Sequence, residues 1–451
     1  MPEGSRNTEA EITNVRPAKN PNILGQLTSE ELMMSSSEPG YTNLLSPIEW
    51  MMPRSYITQI LCFSSSSPEV PQILRIGLAE LLTEVPYLVC GVMDGSSPKG
   101  SVALSKPYQT LEDLFSFTDL SATMDYNSLK LGNYKPSSLG GLDEISINSS
   151  AGNENAQPVF RSHLYLAQTG YFLCVKIHHS TTDITGLGIL LKLWASHCRI
   201  GRSGAAHVTK SWLDRSAFWK ACTEAPADLP GLLHYQRTHS SRGEEKGSAT
   251  DMVTSIFTFS NQQLNLLKTE LTKFFSVNGI KWVSKGDILT AILWSSIVST
   301  EILFHETSIS TNKPHQSNMH AIRIPVNFRR RYVPPLATNF MGAAFGVSLA
   351  TAKEADLINI ALCNDNELFL SALARVSWAI REAISRVNAR SMRDVVQFLV
   401  AQKDITNLKF GPKDANISIV SWADEDVYDL DWGHADLTVA LIPRPLCSAI
   451  C

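Results

Sequence analysis

Residues 171–198 read YFLCVKIHHSTTDITGLGILLKLWASHC, and this stretch combines a strand pattern, a polar turn and a helix pattern. Its first part, residues 171–177, is apolar and β-rich, which predicts a strand. The apolar spacing and leucine content of Ile184–Cys198 predict a helix that packs on a sheet. The polar run His178-His179-Ser180-Thr181-Thr182-Asp183 therefore lies at a strand-to-helix turn.

The segments on both sides of this stretch alternate between strand and helix patterns. Before it, we expect strands at 56–63, 86–92 and 160–167, a helix at 69–82, and a long Ser-, Asn- and Gly-rich loop over about residues 131–157. After it, we expect an exposed connector at 239–248, strands at 254–259 and 321–326, and helices at 260–275 and 285–304. This order predicts a layered α/β protein.

The composition is that of a globular protein. Of the 451 residues, 44% are hydrophobic and 18% are charged, which excludes disorder as the main state. Lys and Arg number 39 against 43 Asp and Glu, and the resulting charge of −4 gives no electrostatic footprint for nucleic acid. No run approaches the roughly 20 apolar residues of a membrane-spanning helix, and the N-terminus lacks the order of a signal peptide. We therefore expect a soluble, cytoplasmic monomer with no membrane partner.

Common catalytic signatures are missing from the sequence. It contains no Gly-x-Ser-x-Gly elbow, no Walker-type loop and no Gly-x-Gly-x-x-Gly after a strand. No motif in the sequence therefore supports a hydrolase, an NTPase or a dinucleotide-binding protein. One His-x-x-x-Asp remains, formed by His179 and Asp183. A histidine at the end of a strand is held on rigid backbone, and its pKa near 6.5 suits proton transfer with a hydroxyl.

Two other interpretations of this turn stay open from the residues alone. In the first, the histidines are satisfied structural residues and Asp183 caps the following helix. In the second, His178, His179 and Asp183 bind a metal ion. Because adjacent strand residues point to opposite faces, the two histidines are poor co-ligands and we expect no metal. The eight cysteines are scattered without zinc-site spacing.

A second element lies near the C-terminus, where Tyr428-Asp429-Leu430-Asp431-Trp432-Gly433 follows Ser421-Trp422. With the His179–Asp183 motif, it resembles the signatures of the BAHD-type acyl-CoA-dependent acyltransferases, especially the fungal branch similar to trichothecene 3-O-acetyltransferase. These signatures are His-x-x-x-Asp and Asp-Phe-Gly-Trp-Gly. Further segments follow the order of that family: Leu45-Ser46-Pro47, Pro53-Arg54-Ser55-Tyr56, Pro86-Tyr87-Leu88, Asp214-Arg215-Ser216, residues 286–294, and Val326-Asn327-Phe328-Arg329-Arg330-Arg331 with Pro334-Pro335-Leu336. The likeness spans about residues 44–443.

The resemblance implies two domains of the chloramphenicol-acetyltransferase type, joined by a crossover loop, with a channel between them. On that basis we expect a polar arm over residues 1–40 and an N-terminal domain over 41–210. A crossover linker over 211–250 and a C-terminal domain over 251–451 would follow. Acyl-CoA would enter the channel at one end and a small hydroxylated acceptor at the other.

The resemblance also implies a role for each motif residue. His179 would be the general base, and Asp183 would turn away to an arginine and be structural. Asp429 would hold its loop by pairing with Arg329 or Arg331, within a structural motif that includes Trp432 and Gly433. Acyl transfer passes through a tetrahedral oxyanion, which needs a hydrogen-bond donor. Candidates for this donor are Ser418, Ser421 and the indole of Trp422 or Trp432.

The implied activity is transfer of an acyl group, in the first place acetyl, from acyl-CoA to a hydroxyl of a secondary metabolite. It needs no metal and no permanently bound cofactor. Leu430 and Asp431 depart from the family pattern, and Ala343 stands where the family has an Asn side chain. Two alternatives remain: condensation-type amide synthesis, although no carrier-protein segment accompanies the chain, and a degenerate relative that only binds a ligand.

Overall fold

The computed structural model describes residues 45–65, 67–132, 134, 136–139, 141–142, 156–199, 207–220, 229–235, 255, 257–278, 282–307, 319–410, 417–423, 425, 427, 429–433 and 439–443. The expected polar arm at 1–40, the connector at 239–248 and much of the long loop before residue 156 lie outside these residues.

The strands are β1 (Tyr56–Phe63), β2 (Gly91–Asp94), β3 (Val102–Leu104), β4 (Phe115–Asp119), β5 (Gln157–Pro158), β6 (Phe160–Ala167), β7 (Gly170–His178), β8 (Leu233–Tyr235), β9 (Met319–Asn327), β10 (Phe345–Lys353), β11 (Leu408–Phe410), β12 (Ile417–Ser418) and β13 (Val439–Pro443). The helices are α1 (Pro47–Trp50), α2 (Val70–Glu84), α3 (Leu111–Leu114), α4 (Tyr126–Leu131), α5 (Ile184–Cys198), α6 (Lys210–Leu213), α7 (Ser216–Lys220), α8 (Asn261–Asn278), α9 (Lys285–Thr307), α10 (Glu354–Leu362), α11 (Asn366–Arg386) and α12 (Ala389–Ala401).

A five-stranded sheet in the order β13-β1-β7-β6-β4 forms the first half of the fold. Strands β6 and β7 form an antiparallel hairpin, and β7 pairs antiparallel with β1. Helices α2 and α5 pack on each other, and Trp194 of α5 donates a hydrogen bond of 2.8 Å to the Leu74 carbonyl of α2. Strand β13 comes from the far end of the chain and covers the β1 edge, so the first sheet is completed from outside residues 41–210.

The second half is built around a three-stranded sheet in the order β10-β9-β12. Strands β9 and β10 are antiparallel, and β12 lies parallel to β9. Helix α11 packs on β10 and on helices α8, α9 and α10. The expected mixed α/β class is confirmed by this arrangement of sheets and helices.

The apolar patterns located several elements correctly. The bounds of β1, β6 and α5 coincide with the expected ones, and the helix expected at 69–82 is α2. The strand expected at 86–92 is wrong in its first part, because Pro86–Val89 form a 3-10 turn before β2. The strand expected at 254–259 is also wrong at the described positions, since Phe257 is 75% exposed and no face of the segment is buried there.

One segment of α9, Lys285–Phe304, has a mean hydropathy of 1.5 and is long and apolar enough to cross a membrane by these criteria alone. We expected no such segment from the sequence. A single helix of this kind is weak evidence for a membrane, because the core helices of soluble proteins have the same length and composition; 44% of this one is buried inside the protein.

Candidate active site

The His178–Asp183 turn joins β7 to α5 and is held on both sides by hydrogen bonds. Strand β7 ends at His178, a single 3-10 turn covers His179–Thr181, and Asp183 is the N-cap of α5. The His179 N–H donates to the Ser55 carbonyl over 2.8 Å, just before β1. The turn is therefore fixed against the central strands of the first sheet.

The His179 ring is buried, with 6% of the residue exposed, and it has a defined tautomer. Its Nδ1 lies 3.1 Å from the carbonyl oxygen of Thr182. Because a carbonyl only accepts hydrogen bonds, Nδ1 carries the proton and Nε2 holds a lone pair. Burial lowers the pKa of His179, and the opposing effects of Asp183 and the Thr182 carbonyl do not cancel it. The neutral imidazole at neutral pH can accept a proton at Nε2.

The neighbouring His178 is fully used in structural contacts. Its Nδ1 accepts the Ser180 N–H over 3.2 Å, and its Nε2 donates to Gln157 Oε1 over 3.1 Å. Burial, with the nearby charge of Arg54 and with His179, lowers the pKa of His178 to about 3. With both ring nitrogens engaged, His178 supports the turn. Among the described residues, no three His, Cys, Asp or Glu side chains are grouped as metal ligands.

Asp183 turns to Arg329, in the orientation that the resemblance implies. Arg329 Nη1 lies 2.9 Å from Oδ2 and Nη2 lies 2.7 Å from Oδ1, while the Ala344 and Gly186 N–H groups also donate to the carboxylate. Burial alone would raise the pKa of Asp183, but Arg329 and the two N–H donors hold it below its ordinary value. Asp183 therefore joins α5 to the loop after β9 and does not hydrogen-bond the His179 ring as a relay partner would.

The expected partner of Asp429 is wrong. Arg329 also donates hydrogen bonds to the carbonyls of Phe340 and Gly342, over 2.9 and 2.7 Å. Arg331 donates to the carbonyls of Ile384 and Val387 at the end of α11. With both guanidinium groups placed elsewhere, the exposed Asp429 has neither as its partner.

Trp432 and Gly433 anchor the second motif on the end of α5. Trp432 is fully buried and packs edge-on against Phe63 and Trp194, with ring centroids 5.5 and 5.7 Å apart. Gly433 has φ +81°, and a Cβ there would lie 2.6 Å from Arg199 Cα, so this position requires glycine. Trp432 thus serves packing, and no described residue accepts a hydrogen bond from its Nε1.

The proposed oxyanion donors lie on the strand and loop before that motif. Ser418 ends β12 opposite Arg323 of β9. Ser421 is exposed and accepts a hydrogen bond of 3.4 Å from the Ala423 N–H, while Trp422 is half-buried. Leu430, in place of the family Phe, packs against the hydrophobic core. The oxyanion role of these residues stays a prediction.

A second buried ion pair, which the sequence analysis did not single out, supports the same turn. Glu49 is fully buried, and Arg215 Nε lies 3.0 and 2.8 Å from its two carboxylate oxygens. Arg215 also donates to the Thr181 carbonyl over 3.1 Å, and the Ala343 N–H reaches Glu49. The Ser46-x-x-Glu49 spacing of a capping box was the signal for Glu49 in the sequence.

The model of the family described as "Transferase family" matches residues 30–440. The chain is similar to the O-acetyltransferase anaAT of Neosartorya fischeri, with 25% identity over 318 residues that cover 61% of each chain. It is also similar to the O-acetyltransferase astG of Aspergillus oryzae, with 22% identity over 86% of this chain and 89% of the relative.

Among solved structures, the chain is similar in fold to TRI101 of F. graminearum complexed with coenzyme A and deoxynivalenol. The TM-score is 0.67 at 17% identity, and the match covers 90% of this chain and 89% of that one. The chain spans about three fifths of the length of relatives such as anaAT, at 61%.

Proposed function

The chain belongs to the Transferase family, the BAHD-type acyltransferases, and we propose that it is an acyl-CoA-dependent O-acyltransferase. It moves an acyl group, in the first place acetyl, from acyl-CoA to a hydroxyl of a small secondary metabolite. The names of the fungal relatives support acetyl transfer to oxygen. The coenzyme A in the TRI101 complex supports acyl-CoA as the co-substrate.

One observation carries the proposal: the buried His179 has its Nδ1–H committed to the Thr182 carbonyl at 3.1 Å. This contact fixes the ring so that Nε2 is the basic nitrogen. Burial also lowers the pKa of His179, so that the ring is neutral when an alcohol arrives. Both conditions are those of a general base at neutral pH.

The reaction then proceeds in two steps around this imidazole. His179 Nε2 accepts the proton of the acceptor hydroxyl while its oxygen attacks the thioester carbonyl carbon, and a tetrahedral oxyanion forms. The intermediate collapses, the carbon–sulfur bond breaks, and the imidazolium returns the proton to the departing CoA thiolate. The Thr182 carbonyl, which accepts from Nδ1–H, stabilises the imidazolium between the two steps.

A hydrogen-bond donor must face the oxyanion, and such a donor contributes about 2.7–4 kcal/mol to lowering the barrier. We assign this role to the group of Ser418, Ser421 and Trp422, which lie on one short stretch ahead of the Trp432 anchor. Individual substitution of the three to alanine identifies the donor as the one whose loss lowers kcat with little change in KM.

The test is acetyl-CoA turnover with a panel of hydroxylated acceptors and matched amines, read as release of free CoA and as mass of the acylated product. We expect acetylated alcohols and CoA in equal amounts. Products from the amines alone would replace the O-acyl assignment by amide formation. Stabilisation by CoA without any product from either panel would contradict catalysis and leave ligand binding.

A further inference from the structure

The sheet formed by β9 and β10 has one covered face and one partly covered face. On the covered face, Ile322, Ile324 and Val326 of β9 are buried, at 0%, 7% and 6% exposed, under the helical layer that includes α11. Successive side chains of a strand point to opposite faces, so Arg323 and Pro325 lie on the other side, where both are half-buried. This second side is the open face of the sheet.

The open face begins beside the His179 turn. Phe345, the first residue of β10, has its ring centroid 6.0 Å from that of His179. Asn327, which pairs with Phe345 across the sheet, donates to Thr185 Oγ1 over 3.2 Å at the start of α5. Val347 continues the apolar surface two residues further along β10. An acceptor whose hydroxyl reaches His179 can therefore lay its apolar body along the open face.

Arg323 lies further along the open face, on the same side of β9 as Asn327. The two residues are four positions apart, which is about 13 Å along a strand. Arg323 Nε is buried, and no hydrogen bond or ion pair joins the guanidinium to the described part of the chain. Arg215 and Arg329, by contrast, each pair with a buried carboxylate. The Arg323 guanidinium is thus available to a ligand on the open face.

A carboxylate fits this guanidinium well. Nε and one Nη of an arginine donate in parallel, and the two oxygens of a carboxylate accept both bonds in one plane. A buried N–H without an acceptor is unfavourable, and a carboxylate removes that cost for Arg323 Nε. Leu349 lies opposite Arg323 in β10, so the neighbouring surface is apolar and screens such a charge pair less than water does.

The position of Arg323 assigns this carboxylate to the acceptor. The carboxylate of a dicarboxylic acyl donor would lie a few bonds from the thioester carbon and therefore next to His179. Arg323 instead pairs with Leu349, four residues beyond Phe345 in β10. A carboxylate at the far end of an elongated acceptor covers that distance.

We propose that the acceptor is an elongated hydroxy acid. Its hydroxyl lies at His179 Nε2, its apolar body lies on Phe345 and Val347, and its carboxylate binds Arg323. The carboxylate takes no part in bond making, so Arg323 determines which acceptors are used. This assignment rests on the proposed function, because it names the substrate class of the same site.

The test compares straight-chain ω-hydroxy acids of increasing length with their methyl esters as acceptors for acetyl-CoA. The ester keeps the hydroxyl and the chain but carries no negative charge. Once the chain is long enough to span from His179 to Arg323, we expect kcat/KM for the acid to exceed that for the ester about 10- to 100-fold. Shorter chains should show no preference. Equal kcat/KM for acid and ester at every length would overturn the proposal.

Two variants locate the carboxylate. Arg323→Gln should remove the preference for the acid. Leu349→Glu leaves the arginine in place and sets a carboxylate opposite it in β10, so it should remove the preference in the same way. The matched control is Arg375→Gln, an arginine of α11 paired with Asp356, which should keep the wild-type preference. If Arg323→Gln fails to fold, Leu349→Glu decides, and an undiminished preference in that folded variant overturns the proposal.

A binding measurement separates this proposal from the proposed function. Decanoic acid and methyl decanoate carry no hydroxyl to acylate, and thermal unfolding reports whether each binds. We expect the acid to raise Tm more than the ester does, and Arg323→Gln to remove the difference. Acid binding through Arg323 without turnover of any acceptor would refute the transferase and retain the site. Turnover without any preference for the acid would do the reverse.

The same variant tests whether Arg323 serves the acyl donor instead. A higher KM for acetyl-CoA in Arg323→Gln, with the preference for the acid intact, would place a phosphate of CoA at this arginine. A preference for malonyl-CoA over acetyl-CoA that Arg323→Gln removes would place the carboxylate on the acyl group. Either result overturns the proposal, whereas an unchanged KM for acetyl-CoA with loss of the acid preference supports it.

Discussion

Asp183 and Arg329, which are 146 residues apart in the chain, meet in a buried two-pronged ion pair. The side chains are 5% and 3% exposed, so both charges are withdrawn from water. The pair joins the start of α5 to the turn after β9. Residues from both halves of the fold therefore hold Asp183, which follows the His179 turn, in place.

We predict that Asp183→Leu lowers the free energy of unfolding by about 3–5 kcal/mol, because it leaves the Arg329 charge buried without its partner. The double variant Asp183→Leu/Arg329→Met should lose much less than the sum of the two single variants. Urea unfolding of the four proteins measures this coupling. Additive losses would show that the ion pair does not act as a unit.

We predict that the acid limb of kcat/KM has its midpoint below pH ~6.5, the ordinary value for histidine. Burial lowers the pKa of His179, so the ring stays in its neutral, basic form at pH values where an exposed histidine would be protonated. Activity should be flat around neutrality and fall with a one-proton slope as the pH drops further. A midpoint at or above the ordinary value would contradict the assignment.

We predict that Gly433→Ala destabilises the protein more than Gly141→Ala. Both glycines have positive φ, +81° and +87°, so both variants pay the cost of left-handed backbone. A Cβ at Gly433 would also lie 2.7 Å from the Cys198 carbonyl oxygen, whereas no atom of the described residues lies within 4 Å of a Cβ at Gly141. Thermal unfolding should show an additional loss of about 1–3 kcal/mol at Gly433, and equal losses would argue against the tight docking of this loop.

We predict that Arg215→Lys lowers the free energy of unfolding by about 1–3 kcal/mol, because one ammonium group cannot reproduce the separate Nε and Nη2 contacts of the guanidinium with Glu49 and the Thr181 carbonyl. The control is Arg75→Lys, in an exposed pair with Glu112, which should change stability by less than about 1 kcal/mol. Denaturant unfolding compares the two. Similar small effects in both would mean that the Glu49–Arg215 pair contributes little to holding the turn.

Local pattern located the elements that carry the candidate site. Strong apolar runs fixed β1, β6 and α5, and the polar residues between β7 and α5 marked the turn. Such signals depend on a few neighbouring residues, so they survive in a single sequence. The strand expected at 254–259 was wrong at the described positions. A strand pattern of apolar residues forms a strand only where a neighbouring strand pairs with it, and the local sequence does not show that neighbour.

The choice of ion-pair partners could not be predicted from the residues. Arg329 and Arg331 are two positions apart, and the resemblance left open which of them would pair with Asp429. The packing of α5 against the turn after β9 brings Asp183 to Arg329, and the end of α11 takes Arg331. Contacts across such distances in sequence depend on tertiary packing, and the Glu49–Arg215 pair was missed for the same reason.

The proposed reaction depends on the lone pair of His179 Nε2, which takes the proton of the acceptor hydroxyl. The most direct measurement is the rate of CoA release by His179→Gln, with the exposed His207→Ala as the control. For a folded variant that still binds acetyl-CoA, we expect a fall in kcat of about 10²- to 10⁴-fold and an unchanged rate in the control. A folded His179→Gln that releases CoA at the wild-type rate would contradict it.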